Sequence, residues 1–98
     1  MTGVDRGLNT PERIVAAFLR ALLLKEDYKL REAAQAFDDI AAHYGEAEVC
    51  GDALFEAGLL FEALEAGRAR TCYGTLVTKY PHHPRAADAA VRLKRLGR

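Results

Sequence analysis

The chain has 98 residues, half of them apolar, with fourteen basic residues balanced by fourteen acidic ones. That length makes one domain with a modest core; zero net charge gives no overall attraction for a polyanion, and no stretch approaches the roughly 18 uninterrupted apolar residues that a membrane helix needs. The apolar residues are mostly Ala and Leu and only three residues are Pro, which suits short, closely packed helices and predicts an all-α fold.

Residues 1–9 are rich in Gly and polar residues, lack periodicity and are expected to be mobile, so the chain divides into a flexible N-terminus over 1–10 and a helical domain over 11–98. The start carries no apolar core of the secretory kind, and the expected location is cytoplasmic, or periplasmic if a leader has been removed. Thr10-Pro11-Glu12 reads as a helix start, with a hydroxyl cap, a proline whose missing N–H costs nothing and an acid near the positive dipole end. The first helix spans about 11–26 and buries Ile14, Ala17, Phe18, Ala21, Leu22 and Leu24. A second, over about 29–44, uses Leu30, Ala33, Ala34, Phe37, Ile40, Ala41 and Tyr44 and stops at Gly45.

A third helix, over about 47–64, presents Cys50, Ala53, Leu54, Ala57, Gly58, Leu60, Phe61 and Leu64, a stripe wide enough to touch elements on both sides. Gly58 in its interior costs about 1 kcal/mol against Ala and points to a close helix contact. The fourth, over about 67–80, packs through Ala69, Cys72, Tyr73, Leu76, Val77 and Tyr80 before Pro81 ends it. His82-His83-Pro84 is a turn, and the last helix, about 84–96, uses Ala86, Ala87, Ala90, Val91, Leu93 and Leu96.

The chain repeats itself. Ala36-Phe37-Asp38-Asp39-Ile40-Ala41-Ala42-His43-Tyr44-Gly45 returns 36 residues later as Cys72-Tyr73-Gly74-Thr75-Leu76-Val77-Thr78-Lys79-Tyr80-Pro81. Ala33 maps on Ala69, Asp52 on Asp88, Ala53 on Ala89 and Leu60 on Leu96. A period of this length means stacked helical hairpins that bury a core between units and leave an extended face free, so the expected role is to hold another polypeptide.

Leu54, Ala57, Gly58, Phe61, Ala69, Tyr73, Leu76 and Pro81 follow the order of a tetratricopeptide repeat, and residues 47–81 resemble that family. Tyr73, Leu76, Tyr80-Pro81, Ala86, Ala89 and Leu93 are similar to the variant in bacterial Tol-associated periplasmic proteins and outer-membrane assembly lipoproteins. The resemblance implies a five-helix, right-handed stack of antiparallel hairpins, about two repeats plus a capping helix, with no catalytic residues. It also implies a concave groove, whose family positions carry over as Asp52, Phe55, Leu59 and Glu62. The 36-residue shift adds Ala16, Leu19, Leu23 and Glu26 from the first unit and Asp88 and Arg95 from the last. Phe55, Leu59, Leu19 and Leu23 would then form an apolar floor rimmed by acids. The competing reading is that these residues pack between neighbouring helices.

Residues implying chemistry do not assemble into a site. His43, His82 and His83 offer no Cys-x-x-Cys or His-x-x-x-His edge for a metal and read as solvated loop histidines, and Asp38-Asp39 diverge by about 100° on a helix. The chain has no serine and no glycine-rich phosphate loop, while Cys50 and Cys72 correspond to Ala86 and Ala36 and read as small, unbridged core residues. No enzyme, metal or cofactor is expected.

Residues 26–65 hold eleven acids against two bases and residues 66–98 eight bases against one acid. The cations of the last helix lack an aromatic platform and the acidic middle repels a polyanion, so nucleic acid is not the expected partner. The sequence predicts a protein-protein interaction module, a small adaptor or an assembly or chaperone-like subunit, that binds a partner segment in the groove. The alternative is a structural protein that self-assembles, its acidic and basic halves stacking head to tail.

Overall fold

The computed structural model describes residues 10–45 and 47–97, and the side chains of Thr10 and Ala47 lie outside that description. The mobility expected of residues 1–9 and the cap expected of Thr10 therefore fall outside the described part. The described chain is all-helical: α1 (Thr10–Glu26), α2 (Leu30–His43), α3 (Ala47–Leu64), α4 (Ala66–Lys79) and α5 (Ala86–Leu96). Each helix packs chiefly against its neighbours in sequence, and the molecule measures 52 × 30 × 17 Å.

The helices end where local chemistry stops them. After α1 the Lys29 N–H reaches back to the Leu24 carbonyl at 2.9 Å and Tyr28 takes φ +63°, a left-handed turn made by a residue with a Cβ. Gly45, at φ +79°, closes α2 as its lack of a side chain allows. Beyond α4, Pro81 cannot continue the helix, and the His83 N–H donates to the Tyr80 carbonyl at 3.0 Å to shape the turn.

The core is one cluster running through all five helices. From α1 it takes Ala21, from α2 Ala34, Phe37 and Ile40, from α4 Ala69, Cys72, Tyr73 and Leu76, and from α5 Ala89. Phe18 meets Phe37 edge to face at 5.2 Å, an arrangement the ring quadrupoles favour. Helix α3 is buried on nearly every side, through Cys50, Ala53, Leu54, Phe55, Ala57 and Phe61. Its glycines explain how neighbours come so close. A methyl group at Gly58 would overlap the Tyr73 ring, and one at Gly51 the His83 ring.

Three expectations need correction. Leu30 is exposed because it opens α2 beside the exposed turn. Helix α5 buries Ala86 and Ala89 but leaves Ala87, Ala90 and Val91 exposed, because it packs on α4 and no described helix lies beyond it. His83 is no solvated loop residue: its side chain is 3% exposed. Its Nδ1 accepts from the Arg85 N–H at 3.0 Å, which leaves Nε2 to donate to the Glu48 carbonyl at 3.0 Å and to face Asp52 at 3.3 Å.

Candidate functional site

An α-helix advances 100° per residue, so Glu12, Val15, Ala16, Leu19, Leu23 and Glu26 fall within one arc of α1. This arc lies opposite Ile14 and Ala21, which are buried. Val15, Leu19 and Leu23 are 57%, 54% and 68% exposed, with exposed Ala16 between them and an exposed acid at each end. Single exposed aliphatic residues are ordinary; three on successive turns of one helix form a patch. Beside it runs a shallow cavity of about 180 Å³ lined by Ile14, Val15, Phe18, Leu19, Val49 and Asp52.

The internal repeat accounts for this exposure. Leu19 occupies the position of Phe55 one unit later, and Phe55 is only 5% exposed. The guanidinium of Arg85 lies over its ring at 4.8 Å and that of Arg92 at 5.9 Å, a favourable placement of cation on aromatic face. Thirty-six residues before Arg85 and Arg92 stand Val49 and Glu56. Neither is a long cation, so α3 does not cover α1 as α5 covers α3.

Asp52 and Glu62, two of the acids expected at the rim of a groove, are held by the chain's own bases, as are Asp38 and Glu56. Asp52 faces His83 at 3.3 Å and Arg85 at 3.8 Å. Glu56 joins Lys25 of α1 at 3.2 Å to Arg85 at 3.7 Å, and Arg68 donates to Asp38 at 2.8 Å. Glu62 accepts from the Tyr73 hydroxyl at 2.5 Å and from Arg92 at 3.1 Å, tying α3, α4 and α5 at one carboxylate. Burial alone would raise the Glu62 pKa, but the hydrogen bonds and positive charge of its partners outweigh it and hold the carboxyl below its ordinary value. Tyr73 moves upward, through burial and then Glu62. Burial, with Asp38 beside it, pushes the Cys72 thiol up to about 12, which disfavours the nucleophilic thiolate.

Of the eight residues expected to form the groove, the structure leaves Leu19, Leu23, Glu26 and Arg95 exposed and Leu59 half-buried against the core. Asp52 and Glu62 belong to the internal ion pairs. Phe55 is a correction: it lies beneath Arg85 and Arg92 and offers no apolar contact to a partner. Val15 escaped the sequence reading, although its spacing of four and eight residues from Leu19 and Leu23 would have found it. The covering role of Arg85 and Arg92 carried no such signal.

Cys50 and Cys72 are both free and buried. Among the described residues no group of three His, Cys, Asp or Glu side chains could hold a metal, and no helix is long and apolar enough to cross a membrane. The chain matches no family model, no curated protein and no solved structure.

Proposed function

We propose that this chain is a protein-interaction module, an adaptor or an assembly or chaperone-like subunit, and that it docks its partner on the α1 face formed by Val15, Leu19 and Leu23. The single observation that carries this reading is the apolar stripe itself, three large aliphatic residues more than half exposed and bounded by Glu12 and Glu26. Burying such a stripe is the dominant favourable term in association. In this reading the fold is a right-handed, tetratricopeptide-like stack of hairpins closed by α5. The 36-residue period and the seating of Tyr73 on Gly58 support that architecture.

The test compares capture of proteins by wild type and by a Leu19→Glu/Leu23→Glu double variant, after circular dichroism shows equal helicity. Both residues are exposed, so the fold is expected to survive, and partners should be lost from the variant alone. Equal capture by both proteins sinks the reading.

A further inference from the structure

We infer that the α1 stripe receives the outer face of α5 from a second copy of this chain, so that copies associate head to tail. The inference rests on the reading of the α1 face as a docking surface and names its occupant. The two faces complement one another. On α1 an apolar stripe of three turns lies between Glu12 and Glu26, which stand about 21 Å apart along the helix. On α5 the exposed residues are Ala87, Asp88, Ala90 and Val91, the last 58% exposed, with the Asp88 carboxylate paired to Arg92 of the same helix at 3.6 Å, and exposed Lys94 and Arg95 follow. Neither Lys94 nor Arg95 enters an ion pair among the described residues, and neither do Glu12 and Glu26.

Charge selects this pairing over a symmetric one. If the stripe met its own copy antiparallel about Leu19, Glu12 would face Glu26 at both ends; in parallel, each acid would face its twin. Either arrangement sets like charges together, which opposes association. The α5 face instead brings small apolar residues to Val15, Leu19 and Leu23 and two cations to one of the acids. Its alanines let the helices approach closely. The contact is heterologous, so each docked copy leaves one α1 face and one α5 face open and growth continues past the dimer.

Sedimentation velocity on the full chain, from tens of micromolar to about 1 mM, tests this directly. The expected result is a series of species extending beyond the dimer, weakened at least tenfold between about 0.05 and 0.5 M salt. Leu19→Glu/Leu23→Glu and Val91→Glu, each with unchanged helicity, should both be monomeric alone and should form a one-to-one pair when mixed, since each retains the face the other lacks. A wild type that stays monomeric overturns the inference and leaves the α1 face as a site for other partners. A closed dimer that survives Val91→Glu also overturns it. So does association that appears only after residues 1–9 are deleted, because that segment would then be the occupant.

Discussion

Tyr28 adopts φ +63° on an exposed turn, where its Cβ crowds the neighbouring carbonyl and its ring finds little to pack on. Tyr28→Gly is therefore expected to raise stability by about 0.5–1 kcal/mol, measured by urea denaturation, as strain relief exceeds the entropy cost of glycine. Two of the glycines inside helices, Gly74 and Gly58, should respond oppositely to alanine. At Gly74 an added methyl meets open space, so Gly74→Ala should stabilise by about 0.5–1 kcal/mol through helix propensity. At Gly58 the same methyl strikes the buried Tyr73 ring, and Gly58→Ala should cost about 1–3 kcal/mol despite better propensity. A Gly58→Ala protein as stable as wild type would mean that α3 and α4 need no such approach. The special role of Gly58 was legible in the sequence because a helix interior rarely accepts glycine without a reason. That of Gly51 was not, because the ring that needs its space belongs to His83, in a turn 32 residues away.

At the scale of the helices, the Glu62 carboxylate is the place where α3, α4 and α5 meet. Its pKa is lowered on folding, so its contribution to stability is fully present above its unfolded value and is lost as pH falls through the lower folded one. Glu62→Gln should cost about 1–2 kcal/mol at neutral pH. It should also flatten the fall in stability below about pH 4.5, near the ordinary value of the group. Parallel acid titrations of wild type and variant would show this idea to be wrong. Helix positions were legible to within about two residues because apolar periodicity and the stops at Gly45 and Pro81 are local signals. Surface assignment was harder: a residue's cover comes from whichever helix lies against it. Phe55 is hidden by arginines 30 and 37 residues further along, while Val91, in the same repeat position, is covered by no described helix.

Across the whole molecule, charges sorted along the chain are recombined in space. Asp38, Asp52, Glu56 and Glu62 from the acidic middle meet Arg68, Arg85 and Arg92 from the basic end. These pairs are partly exposed, so each contributes at most about 1 kcal/mol. Together they should make the fold lose about 1–2 kcal/mol between 0.05 and 0.5 M sodium chloride, and a thermal midpoint that does not fall over this range would contradict the expected role of the ion pairs. The sequence showed the sorting but not which charges meet, so Asp52 and Glu62 read as a rim open to a partner. Lys94 stands 36 residues after Gly58, so the seat that receives an aromatic ring in one unit holds a lysine in the next. An engineer inserting a second copy of the α3–α4 hairpin before α5 could therefore keep Lys94, whereas seating the ring of a new helix on α5 would first require Lys94→Gly.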